Sequence, residues 1–266
     1  MTVTDAPVPE PVLVARDGDI ATVTLNRPEK LNALNLAAWR RLGEVFAELG
    51  GDESVRCIVV RGAGGKAFGA GADIAEFEKE RRDVEQAVHY GAVVEKALTA
   101  VAENIHPTIA LIEGACVGGG LELACACDLR ICGASSRFGI PVNRLGLTMA
   151  YAELRALLDV VGPVVAKEIL FSGEIFDAFR AVELGLVTRI VGDDRLEEEA
   201  YELAKRIAAA APLVNRWHKK FIRRLADPTP LSEAEVREGY AAFGTEDFRR
   251  GYRAFLDKKT PEFEGD

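Results

Sequence analysis

The stretch Ile112-Glu-Gly-Ala-Cys-Val-Gly-Gly-Gly-Leu-Glu-Leu-Ala-Cys-Ala-Cys-Asp128 narrows what this chain can fold into more than any other. It reads as the end of a buried strand, a triple-glycine turn and the first turns of a buried helix. Between Gly114 and Cys127 nearly every side chain is small or apolar, and Glu122 is the one carboxylate. An ionised carboxylate in apolar surroundings is costly, so such a group is paired, protonated or put to use. Gly118, Gly119 and Gly120 let bare backbone approach another molecule. They also leave unpaired N–H groups at a helix start, where negative charge is favoured. Amide donors beside such a carboxylate suit a site that stabilises an oxyanion and moves a proton. A glycine turn with a salt-bridged glutamate is the alternative reading of the same residues.

The rest of the chain sets bounds. With 266 residues, 48% of them hydrophobic, it can bury a large core in one domain with a small appendage. A net charge of −9 argues against nucleic acid or an anionic membrane as the main partner. No apolar run approaches the roughly 20 residues that span a bilayer. Met1 to Glu10 is Pro-rich and acidic, unlike a signal peptide. The expectation is a soluble, cytoplasmic protein with a disordered tail over residues 1–10. Cys57, Cys116, Cys125, Cys127 and Cys132 make an odd count, and Cys125-x-Cys127 lacks a second pair of metal ligands. They read as small buried core residues, with no metal site.

Residues 12–16 and 20–25 flank Asp17-Gly18-Asp19, a hairpin signal. Asn35 is placed to cap a helix over 36–49, and residues 55–60 read as a buried strand. The segment Gly62 to Ile74 holds five glycines but matches neither phosphate-binding spacing, so it reads as a packed loop exposing backbone donors. A long helix over 84–103, a strand over 108–112, a helix over 119–127 and a strand over 128–132 follow. Beyond residue 150 the pattern is helical, at 150–158, 163–170, 178–184, 195–210, 213–225, 232–242 and 246–257, with one strand at 187–191. Strand–helix alternation followed by helices implies an α/β core over 11–195 and a helical C-terminal region over 196–266.

Five separated stretches together resemble the crotonase superfamily, the enoyl-CoA hydratase/isomerase fold. They are Leu25-Asn-Arg-Pro-Glu-Lys-Leu-Asn-Ala-Leu34, Ala67-Phe-Gly-Ala-Gly-Ala-Asp-Ile74, Pro107 to Asp128, Phe138-Gly-Ile-Pro141 and Glu246 to Lys258. The resemblance implies a spiral of ββα units with a helical trimerisation region, assembled as trimers or dimers of trimers. It implies an acyl-CoA thioester as substrate and no cofactor beyond the CoA that the substrate carries. Position by position, the backbone N–H groups of Ala72 and Gly119 would receive the thioester oxygen, with Glu122 as acid/base. CoA would lie along Lys30, Leu31, Ala33, Ala70, Asp73, Ile74 and Gly118. Phe255 and Lys258 match positions that reach the CoA of a neighbouring subunit.

One departure matters. Family hydratases pair two glutamates, the second in a Phe-Gly-x-Pro-Glu pattern, and here Val142 stands in its place. Valine neither gives nor takes a proton. The segment Thr148-Met-Ala-Tyr-Ala-Glu153 is also changed, so Val142, Met149, Tyr151 and Glu153 are candidates to line the acyl pocket, Tyr151 and Glu153 also as a substitute relay. Asn143 and Arg144 read as a loop pairing with local backbone, and Asp73 as a cap or loop anchor. His106 reads as a helix end, and Arg216, Lys219, Lys220, Arg223 and Arg224 as a solvated helix face. The expectation is an enzyme of the hydratase/isomerase group with one glutamate. Decarboxylation, thioester hydrolysis and non-catalytic acyl-CoA binding are the alternatives.

Overall fold

A computed structural model describes residues 9–266. The expected disordered tail over 1–10 therefore falls mostly outside the described residues. Two strands, β1 (Val12–Asp17) and β2 (Ile20–Leu25), form the antiparallel hairpin, turning at Gly18 with φ of 58°. Helix α1 (Leu36–Gly50) starts where Asn35 accepts the Ala38 N–H at 2.9 Å. Then come β3 (Cys57–Gly62), β4 (Ala67–Gly69), α2 (Phe77–Glu80), and α3 (Val84–Ala102) with Asp83 as its cap. They are followed by β5 (Thr108–Ile112), β6 (Ala115–Val117), α4 (Gly119–Ala126), β7 (Leu129–Gly133), β8 (Arg137–Gly139) and α5 (Tyr151–Ser172). The remainder is β9 (Phe176–Asp177), α6 (Ala178–Glu183), β10 (Arg189–Val191), α7 (Leu196–Ala208), α8 (Pro212–Leu225), α9 (Glu233–Glu238) and α10 (Glu246–Asp257).

The strands sort into two sheets, one ordered β1-β2-β3-β5-β7-β10 and the other β4-β6-β8-β9. Among the described residues, only β1–β2 and β8–β9 are antiparallel strand pairs. The chain gives one strand to the first sheet, one to the second, then a helix. It does so at β3–β4, β5–β6 and β7–β8, which makes a spiral of ββα turns. The fully buried strands of the first sheet split their side chains between two cores, as a period of two requires. Ile58, Val60, Ala110, Ile112 and Cys132 face the main core. Cys57, Val59, Ile109, Leu111 and Ile131 face α7. That helix answers with Leu196, Ala200, Ala204 and Ala208, one small stripe at a spacing of four.

Several expectations need correction. The segment read as one packed loop, 62–74, contains β4, and the three-residue strands β6 and β8 were not anticipated. The strand expected over 55–60 runs two residues later, and that expected at 187–191 starts at Arg189. The two helices expected at 150–158 and 163–170 are both present, lying end to end in α5 on either side of a non-helical break at Gly162, φ 71°, just before Pro163.

Backbone packs directly against backbone where β4 passes α4. A Cβ at Gly120 would lie 2.1 Å from the Gly69 carbonyl oxygen, with no flexible side chain to yield. Gly120→Ala is therefore expected to cost about 3 kcal/mol, read as a lower midpoint in denaturant at unchanged slope.

Candidate active site

A cleft of about 920 Å³ opens between the loop after β4, the start of α4, helix α3 and the segment from Pro141 to Glu153. Two backbone loops meet at its floor. In the first, Ala70 N–H donates to Leu31 O at 3.0 Å, Leu34 N–H to Gly71 O at 2.8 Å and Asp73 N–H to Leu34 O at 3.0 Å. Between these bonds the Ala72 N–H has no protein acceptor among the described residues. In the second, Gly118 N–H is taken by Gly139 O at 2.9 Å, while the Gly119 N–H, first of α4, has no such acceptor. The loops touch. A Cβ at Gly71 would lie 3.4 Å from Val117 O and 4.0 Å from the Gly119 nitrogen.

A polar clamp holds the first loop. Asn32, buried and at φ 57°, accepts the Arg27 N–H at 3.0 Å and donates to Ala63 O at 2.9 Å and Ala67 O at 2.8 Å. Arg27 in turn reaches Ala33 O at 2.7 Å and the Asp73 carboxylate at 2.7 Å. The Arg27 hydrogen bond holds the Asp73 carboxyl below the usual carboxylate range. With its other oxygen on the Ala75 N–H at 3.3 Å, Asp73 is a loop anchor.

Glu122 projects from α4 and is 6% exposed. Burial is the main reason its carboxyl is pushed up to about 8; the charge of Glu153 adds to this and that of Arg81 opposes it. Near neutrality the acid is thus mostly protonated. A step that needs its carboxylate form is expected to speed up as pH rises through about 8, measured as kcat/KM, which reports the free enzyme. A flat profile between pH 6 and about 9 would remove the group from that role.

Of the residues singled out in the sequence, Ala70, Ala72, Ile74, Gly118, Gly119 and Glu122 line the cleft, as do Val142, Met149, Tyr151 and Glu153. Tyr151 is 93% exposed and stands at the rim rather than beside Glu122. Glu153 accepts the Ala150 N–H at 2.6 Å in the first turn of α5. Lys30, Leu31 and Ala33 belong to the clamp segment and do not line the cleft; neither do Phe255 and Lys258, at the end of α10.

Other residues have local work. Asn143 donates to Phe171 O at 3.0 Å. His106 is fully buried with its ring Nε2 on Leu49 O at 3.1 Å, and burial pushes its pKa down to about 4. The basic helix face is largely engaged: Lys219 pairs with Asp128 at 2.8 Å, Lys220 with Glu238 at 2.5 Å, Arg223 with Glu103 at 2.6 Å, and Arg224 with Glu235. All five cysteines are buried and free. Among the described residues there is no cluster of three metal-ligating side chains, and no helix is long and apolar enough to cross a membrane.

The sequence reading missed Trp39, Phe77, Arg81, Val84, Val88 and Leu147, which also line the cleft. The run Glu76-Phe-Glu-Lys-Glu-Arg-Arg-Asp83 alternates charge and reads as a solvated helix. Only the tertiary fold turns Phe77 and Arg81 inward.

Comparison with known proteins finds relatives along nearly the whole chain. A family model described as "Enoyl-CoA hydratase/isomerase" matches residues 15–266. A short-chain-enoyl-CoA hydratase of Clostridium acetobutylicum is 34% identical over 253 residues, which is 94% of this chain and 96% of that protein. A crotonyl-CoA hydratase of Syntrophomonas wolfei is 31% identical, covering 96% of this chain and 98% of that one. A crystal structure from Magnetospirillum magneticum, described as an enoyl-CoA hydratase/carnithine racemase, superposes with a TM-score of 0.95 at 50% identity over 97% of both chains.

Proposed function

The chain belongs to the enoyl-CoA hydratase/isomerase family as one of its enzymes, and from that premise we propose that it moves a proton on an enoyl-CoA thioester. The reading rests on one observation: Glu122 is buried in the same cleft onto which the unclaimed amides of Ala72 and Gly119 open. No cofactor is needed beyond the CoA carried by the substrate.

The steps follow from those groups. The Glu122 carboxylate takes a proton from the α-carbon of a 3-enoyl thioester. The electron pair of that C–H bond forms a dienolate whose negative oxygen lies between the two amide donors. Glu122 then returns the proton to the γ-carbon and the double bond ends conjugated with the thioester. No net proton is consumed, so a single carboxylate suffices. Val142, in the place of a second glutamate, is half-buried against the main core and contributes shape only.

A second reading, hydration, has its own support. Glu153 lines the same cleft and its charge is felt by Glu122, so it is positioned to assist a water. Purified protein offered 3-enoyl-CoA and crotonyl-CoA separates the two. Gain of the conjugated enoyl absorbance from the first supports isomerisation, and its loss from the second supports hydration. Turnover of neither removes both.

Assembly is part of the proposal. Helices α8 and α10 leave Ile222, Leu225, Phe255 and Leu256 between 66% and 82% exposed. This supports reading residues 196–266 as a trimerisation region, with Phe255 and Lys258 offered to a neighbouring subunit's CoA.

A further inference from the structure

We infer that the cleft takes thioesters whose acyl chain carries a carboxylate of its own, received by Arg81. The inference rests on the acyl-CoA reading above and adds the substrate class. Arg81 follows α2, its backbone N–H closing on Phe77 O at 3.0 Å. Its guanidinium carbon lies 3.7 Å from the centroid of the Tyr90 ring and 5.1 Å from that of Phe77. Tyr90 is 2% exposed, so the platform beneath the cation is fixed.

What Arg81 lacks is an anion. Its Nε is buried without a hydrogen-bond partner. Its neighbour Arg82 has Asp83 at 3.7 Å and Arg27 has Asp73 at 2.7 Å, whereas no carboxylate stands within 4 Å of Arg81 among the described residues. A buried donor left unpaired is costly, and a guanidinium whose carbon sits over the Tyr90 ring, with no carboxylate beside it, keeps N–H groups for a carboxylate, which the planar fork can take through two bonds. Phe77, Val84 and Val88 line the same cleft and provide apolar wall for the methylenes between thioester and carboxylate. Glu95 on α3 and Glu153 on α5 also line it. Their repulsion excludes an anion elsewhere in the cleft, which makes Arg81 the one favourable berth.

The test is calorimetric binding of unreactive saturated thioesters to the full chain. Adipyl-, pimelyl- and suberyl-CoA are compared with hexanoyl-, heptanoyl- and octanoyl-CoA, as pairs matched in chain length. At least one carboxylated ester is expected to bind about 10-fold or more tightly than its uncharged counterpart. Arg81→Met is expected to abolish that preference and Arg81→Lys to restore part of it. The inference is overturned if no pair favours the carboxylate, or if Arg81→Met weakens charged and uncharged esters alike, as a purely structural arginine would. These ligands do not turn over, so a failure of Glu122 as proton carrier leaves this test standing. Absence of binding by every ester overturns both readings.

Discussion

Glu122→Gln is expected to lower kcat by about 10²- to 10⁴-fold while affinity for an acyl-CoA changes little. Glutamine fills the same volume and keeps a polar end but cannot accept the α-proton. The amides of Ala72 and Gly119 remain, so binding of the thioester survives. Single-turnover kinetics with a 3-enoyl-CoA, beside calorimetric binding of a saturated ester, reads both quantities. A near-native rate would rule the residue out as the proton carrier. The same substitution carries a second signature. In the folded chain the carboxyl titrates at about 8, against 4.5 when exposed. The stability tied to its bound proton is fully present below about 4.5 and is lost as pH rises through about 8. Glutamine, neutral throughout, escapes that loss. The thermal midpoint of Glu122→Gln is thus expected to match wild type near pH 4.5 and exceed it above pH 8. Activity and stability move in opposite directions, as they do where a buried charge is kept for chemistry.

Much of this was legible in the residues because the determinants are local. The Asn35 cap, the Gly18 turn, strand β5 and the kink before Pro163 each follow from side chains within a few positions. The site's two backbone loops were legible for a related reason, since glycines 71 and 118–120 and the apolar run around Glu122 sit in continuous stretches. The second sheet was not. Its strands β4, β6 and β8 are three residues each, too short for an alternation to register, and they exist because neighbours in space pair with them. Gly120 shows the limit of local reading. Its demand for no side chain comes from the Gly69 carbonyl, fifty-one positions earlier. Arg81 is the same lesson at the site, for its charge looks like one of several on a solvated segment until Tyr90, nine residues later, gives it a platform.

Ala72→Pro is expected to reduce kcat by about 10²- to 10³-fold, the usual consequence of losing one of two oxyanion donors. The substitution is unusually clean here. The Ala72 N–H has no protein acceptor, so its removal breaks no bond that holds the loop. Ala72 is not among the residues of positive φ, and the residue before it is Gly71, which has no Cβ to collide with the proline ring. The clamp of Asn32, Arg27 and Asp73 stays in place on either side. Ala72→Gly keeps the donor and serves as the control, expected to stay within a few-fold of wild type, so that a loss specific to proline reports the N–H rather than the methyl group. Binding of a saturated acyl-CoA should fall far less than turnover, because a ground-state carbonyl gains less from the donor than a developing oxyanion does. Combining Ala72→Pro with Glu122→Gln then asks whether the two groups serve one transition state. If they do, the double variant loses little more than the worse single one, because without the base no enolate forms for the amide to stabilise. Full multiplication of the two losses would mean that they act in separate steps, and a near-native rate for Ala72→Pro alone would mean that the thioester oxygen is held elsewhere.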